Sequence, residues 1–217
     1  MNLSELQVRK DLQQATKGWG VSRNLIELLQ KHGWKALGTG AEGAVAEHPE
    51  KSYVLKIFDS DSKYTWFVNF VQMHAHYTNL PRFSRYVKPI PGMKLSYVRM
   101  EKLSKVSDQE LVDSYGNYLV TMMAVGQAHR VEALSYGLKT RIQDKIDRKR
   151  LGVPSLDKPL QLAQIYRMLG GPPPKTWVDL ITELCEFSKQ QGIKYWDTHS
   201  GNFMLRDQTL VLTDPFV

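Results

Sequence analysis

Asp197 and Asn202 lie five residues apart in the stretch YWDTHSGNFMLR (195–206), and Asp214 follows twelve residues after Asn202, behind a short apolar run. These types suit oxygen chemistry. An Asn side-chain oxygen and an Asp carboxylate can both hold Mg²⁺, which takes hard oxygen ligands and usually shares them with phosphates. A second carboxylate can accept a proton from an attacking hydroxyl, or orient it. Taken singly, Asp214 also suits a turn before Pro215, and Asn202 a polar loop.

Two further features lie upstream. The stretch GTGAEGAV (38–45) places Gly38, Gly40 and Gly43 in a GxGxxGxV pattern that ends on Val45. Glycines let a backbone turn sharply and bring its N–H groups close to phosphate oxygens. A dinucleotide-binding fold would need these glycines to open a helix. They lead instead into AVAEHPEKSYVLKIF, which reads as strand. In YVLKIF (53–58), Lys56 shares a strand face with Val54 and Phe58. A lysine so placed either snorkels to water, guarding a sheet edge, or is held by an anion.

The elements that must position these residues follow from the apolar periodicity. Helices are expected over 4–16 and 22–32, the second ending at Gly33. Strands follow at 34–38, 43–47 and 52–58. Helical spacing returns over 62–79, then strands near 86–90 and 95–101 flank a turn at 91–94. Ser107 and Glu110 form a capping-box pattern at the head of a helix through the 110s and 120s. Further helices are expected near 137–150, from 157 to Gly170, and from a cap at Thr176 to Gly192. Strands at 203–206 and 210–213 enclose a turn at Asp207–Gln208. Strands followed by helices make the chain α+β, with two lobes, 1–102 and 103–217.

The bulk composition fits a folded chain of 217 residues, with 42% hydrophobic and 24% charged residues. One cysteine, Cys185, excludes an internal disulfide and fits a reducing compartment. No apolar run approaches the roughly 20 residues a membrane span needs, and the N-terminus is too polar for a signal peptide. The net charge of +7 favours anionic partners. Its densest stretch, 139–150, carries six Lys or Arg against two Asp, and reads either as a solvated helix face or as a docking patch for an acidic surface. No basic-aromatic or zinc motif supports direct sequence-specific nucleic-acid binding.

In this order, the glycine turn, the strand lysine, D-x-x-x-x-N and a strand ending in Asp form the protein-kinase signature set. Across 34–214 the chain resembles the protein-kinase-like superfamily. Within it, the chain is similar to the early serine/threonine protein kinases of lytic short-tailed bacteriophages, which share the D-x-H-S-G-N-x-M loop (Asp197–Met204), the T-D-P ending (Thr213–Pro215) and the GWKALG entry (33–38). The resemblance implies a truncated two-lobed kinase-like fold: a small antiparallel sheet with one helix, then a mainly helical lobe lacking the activation segment and the usual C-terminal helices. It implies ATP and Mg²⁺ as cofactors. Gly38, Gly40, Gly43 and Val45 would cover the phosphates and Lys56 neutralise them. Met100, Glu101 and Leu103 would border the adenine, and Asn202 and Asp214 hold the metal. Asp197 would orient the acceptor hydroxyl, and His199 either donates to the transferred phosphate or packs the loop. The partners implied are bacterial host proteins, including transcription or RNA-processing machinery, phosphorylated in the cytoplasm of an infected host.

The chain departs from the pattern in three places. Residues 62–79 hold no Asp or Glu to pair with Lys56, and Gln72 is the nearest polar substitute by spacing. Trp196 replaces an arginine that reads a phosphorylated activation loop. The metal motif is D-P-F, without its usual glycine. Two alternatives follow: a kinase-like module that inhibits a host protein by binding alone, and a small-molecule kinase of the same fold, which the basic helical region disfavours for cationic acceptors.

Overall fold

A computed structural model describes residues 24–40, 43–84, 86–90, 94–148 and 162–216. The expected helix over 4–16 and the turn at 91–94, but for Lys94, lie outside them. The fold class is α+β. The chain divides into two compact units: one takes the described residues up to Met73 together with Pro81–Lys102, and the other takes His74–Leu80 and those from Leu103 onward.

In the first unit, helix α1 (Asn24–Lys31) leads into a five-stranded antiparallel sheet of β1 (Lys35–Gly40), β2 (Gly43–Glu47), β3 (Tyr53–Asp59), β4 (Lys88–Pro89) and β5 (Leu95–Glu101), ordered β1-β2-β3-β5-β4. Gly33, at φ +79°, turns the chain out of α1, since this backbone region disfavours side chains. The two faces of the sheet are unlike. One carries Ala46, Leu55, Ile57 and Leu95, which bury against Leu29 and Trp34. The other carries Val54, Lys56 and Phe58. Helix α2 (Tyr64–Met73) adds an aromatic cluster in which Tyr64 lies against Phe58 and both Tyr64 and Phe67 lie against Phe83. β4 is shorter than the expected 86–90, because Pro89 lacks an N–H and suits only a short edge.

Helical spacing extends to residue 79, yet α2 ends at Met73. The residues beyond it are drawn into the second unit by tertiary bonds. Tyr77 Oη donates to Glu183 Oε1 at 2.8 Å, Asn79 Nδ2 donates to the Leu210 carbonyl at 2.7 Å, and Leu212 N–H donates back to Asn79 at 3.0 Å. Such bonds outweigh helix propensities of a few tenths of a kcal/mol.

The second unit holds α3 (Asp108–His129), α4 (Tyr136–Arg148), α5 (Leu162–Met168) and α6 (Lys175–Gln190), with a three-stranded sheet of β6 (Ser104–Lys105), β7 (Phe203–Arg206) and β8 (Thr209–Leu212). Ser107 Oγ caps α3 by accepting from Glu110 N–H at 3.2 Å, as its capping-box pattern predicts. α3 packs on α6 through Trp177, fully buried, whose Nε1 donates to the Tyr118 carbonyl at 3.1 Å. Thr176 does not cap α6. The cap is Pro174, whose carbonyl accepts from Trp177 N–H at 2.9 Å, so the helix begins one residue ahead of the hydroxyl. β6 is short and polar and left no trace in the apolar pattern.

Candidate active site

In the first unit, the glycine turn and the lysine belong to one row. Gly38 pairs with Val45, Val45 with Lys56, and Lys56 with Val98, so these four side-chain positions cross the sheet on a single face. Gly40 and Gly43 pair across the two residues between them. The glycines differ in what the fold asks of them. A Cβ on Gly43 would fall on the carbonyl oxygen of Ile57, so β2 can lie this close to β3 only with glycine there. A Cβ on Gly38 would meet nothing within 4 Å. Packing therefore leaves Gly38 unexplained, at a place where open space faces the row that holds Lys56.

Lys56 is half-buried, and its Nζ lies 4.7 Å from the centre of the Tyr64 ring. The π face of Tyr64, the first residue of α2, thus attracts the ammonium. Gln72 does not take this place: it is exposed, and its Nε2 donates to the Ser84 carbonyl at 3.4 Å. Nothing in the spacing singles out Tyr64, since an aromatic at the head of an otherwise apolar helix reads as core. Met100 is buried on the face of Lys56, paired with Val54. Glu101 Oε1 accepts from Arg82 N–H at 2.7 Å. Leu103 falls in the second unit.

In the second unit, the loop after α6 is fixed through its backbone. Trp196 N–H donates to the Glu132 carbonyl at 3.0 Å, and Asp197 N–H to the Pro215 carbonyl at 2.8 Å. Thr198, fully buried, donates through Oγ1 to the Ala133 carbonyl at 3.0 Å. Gly126 of α3 makes this packing possible. A Cβ there would come within 2.6 Å of the Val131 carbonyl and 2.7 Å of the Ala133 Cβ, on the very segment that holds the loop.

Asn202 closes a short 3₁₀ turn, Ser200–Asn202. Its Nδ2 donates to the Asp197 carbonyl, and its own carbonyl accepts from Thr213 N–H at 2.9 Å and Thr213 Oγ1 at 3.0 Å. The loop and the segment carrying Asp214 are thereby stitched together on both sides of Asp214. With its NH₂ group engaged, the Asn202 amide has one orientation, and its Oδ1 takes no hydrogen bond from the described residues. Asn202 Oδ1, nearly buried and unused among the described residues, and half-buried Asp214, whose segment is bonded to Asn202 through Thr213, are donor types that fit a hard divalent cation such as Mg²⁺. No group of three or more His, Cys, Asp or Glu among the described residues could hold a metal ion.

The fold uses the backbone of Asp197 and leaves its carboxylate 44% exposed, 3.6 Å from His199 Nε2. His199 Nδ1 accepts from Gly201 N–H at 3.0 Å, capping the 3₁₀ turn. The neutral ring then carries its proton on Nε2, the nitrogen facing Asp197. A Cβ on Gly201 would sit 2.7 Å from the His199 ring, so glycine leaves room for the ring that caps the turn.

Three basic residues of the stretch 139–150 are ion-paired. Lys139 pairs with Glu132 at 2.8 Å, Arg141 with Asp108 at 2.9 Å and Lys145 with Asp113 at 3.2 Å. α4 is a charge-paired helix face. No helix among the described residues is long and apolar enough to cross a membrane.

No family model matches the chain, and no curated protein does. Among solved structures, the streptomycin-ATP-APH(2'')-IIa ternary complex is similar over 99% of this chain and 71% of that chain, with a TM-score of 0.35 and 13% sequence identity, a likeness too slight to assign the chain to a family.

Proposed function

We propose that the protein is a Mg²⁺- and ATP-dependent kinase that transfers the γ-phosphoryl group directly to a Ser or Thr hydroxyl of a protein. The observation that carries this reading is the division of labour within residues 197–214. Backbone groups hold the loop, while the Asp197 carboxylate and Asn202 Oδ1 are left over from folding. Phosphoryl transfer needs both a carboxylate for the acceptor hydroxyl and oxygen ligands for the metal.

The residues divide the work as follows. The row through Gly38, Val45 and Lys56 receives the phosphates, with Lys56 offsetting their charge. Asn202 and Asp214 would hold Mg²⁺, which when bound neutralises charge on the phosphate oxygens. Asp197 orients the acceptor hydroxyl and takes its proton as the new O–P bond forms and the bond to ADP breaks. His199 Nε2 keeps Asp197 in place. No covalent enzyme intermediate is involved, and rate comes from positioning and charge stabilisation.

A second reading, a kinase acting on a small molecule, gains from the pairing of α4. The positive charge that would repel a cationic acceptor is matched there by Glu132, Asp108 and Asp113. Incubation with γ-labelled ATP, Mg²⁺ and bacterial lysate tests both. Labelled protein bands that vanish in Asp197→Ala and Lys56→Ala support protein phosphorylation. Label found only in small molecules moves the assignment to the second reading. Full labelling by Asp197→Ala removes the role given to that carboxylate.

A further inference from the structure

Residues 195–199 alternate in burial. Trp196 and Thr198 point inward and are anchored, Trp196 Nε1 donating to Ser188 Oγ at 3.0 Å and Thr198 to Ala133 as above. Tyr195, Asp197 and His199 take the opposite, solvent face. In extended backbone, positions two apart stand about 7 Å from each other on one face, so Tyr195 is the neighbour of the acceptor carboxylate. Its backbone is held on both sides: Glu132 N–H donates to the Lys194 carbonyl at 2.8 Å, and Trp196 N–H donates to that of Glu132. The side chain is 67% exposed and makes no hydrogen bond, ion pair or ring contact among the described residues. The fold thus fixes the backbone that carries a large aromatic ring beside Asp197 and takes nothing from the ring itself.

We propose that Tyr195 is an acceptor-binding residue, whose ring packs against the polypeptide flanking the hydroxyl that Asp197 orients. Rigid aromatic rings are efficient anchors because they give large contact area for little lost side-chain freedom. The proposal rests on the kinase reading above and adds the surface that selects the acceptor. It is tested with the unaltered chain, Tyr195→Ala and Tyr195→Phe. Label transfer from ATP to lysate proteins is followed as lysate concentration rises, and phosphate release to water is followed in lysate-free samples. Tyr195→Ala is expected to raise the half-saturating lysate concentration about tenfold. Water-directed hydrolysis and the KM for ATP should stay as they were, and Tyr195→Phe should behave like the unaltered chain. Unchanged half-saturation in Tyr195→Ala overturns the proposal. So does an equal loss in Tyr195→Phe, which would assign the hydroxyl, or a parallel loss of hydrolysis, which would assign the ring to loop support. Hydrolysis with label reaching no protein overturns the polypeptide occupant. If the unaltered chain neither transfers nor hydrolyses, the kinase reading fails and this inference falls with it.

Discussion

Asn202 does two jobs with one amide. Its nitrogen ties Asp197 in place, and its oxygen, unused by the described residues, is the one the proposed function gives to Mg²⁺. Asn202→Ala removes both. We expect the Mg²⁺-dependent rate to fall by about a hundredfold or more, because charge stabilisation on phosphoryl oxygens is a large part of this chemistry. Stability should drop by only about 1 kcal/mol, the usual worth of one hydrogen bond. A Mg²⁺ titration of kcat beside a thermal melt checks both numbers, and an unaltered rate at ordinary Mg²⁺ would unseat Asn202 as a ligand. The types and spacing of Asp197, Asn202 and Asp214 were legible in the sequence because their chemistry is carried by the side chain itself. Tyr64 beside Lys56 was not. Its role comes from a ring face presented by the start of a helix, and no spacing rule distinguishes that ring from the core aromatics Phe67 and Phe70.

At the scale of elements, the three glycines of the first hairpin predict different outcomes. Gly43→Ala forces a methyl group onto the β3 backbone and should destabilise the chain by about 1–3 kcal/mol through overpacking. Gly38→Ala meets open space, so its melting temperature should hold while the KM for ATP rises, because the methyl group intrudes above the Lys56 row. Melting curves and ATP kinetics on the pair separate the two roles; equal losses of stability would refute the distinction. A second element-level device lies in α3. Its backbone is non-helical at Tyr115, and just ahead of that kink Lys145 Nζ takes the carbonyls of Val112 at 3.0 Å and Asp113 at 2.9 Å. Lys145→Met strips those acceptors of their donor and should cost about 2 kcal/mol, read as a lower urea midpoint with the slope unchanged. Strands and helices built on apolar periodicity were legible, β3 and α6 among them. The early end of α2 was not, because Tyr77 and Asn79 are claimed by partners more than 100 positions away.

Across the molecule, Cys185 offers a direct measure of integrity. It is the sole cysteine, fully buried, and burial together with the nearby Glu186 charge pushes its thiol up to about 12. At pH 8 the thiolate fraction is about one in ten thousand. Iodoacetamide should therefore label the native chain negligibly and label it fully in denaturant; fast labelling of native protein would contradict the packing of α6. The positive net charge, read on its own, suggested a docking surface. The ion pairs of α4 favour the other reading of that stretch, a charge-paired helix face, since excess charge counted along a sequence says nothing of the partners folding brings alongside.

Asn79 donates to the Leu210 carbonyl across 131 positions. During synthesis at roughly 5–20 residues per second, the stretch around Asn79 leaves the ribosome on the order of ten seconds before β8 exists to receive it. Until then a side chain destined for the interior stays hydrated, and the loop bearing Asp197 has no Thr213 to close against. The loop that carries Asp197 and Asn202 therefore reaches its folded form only once β8 and Thr213 have emerged.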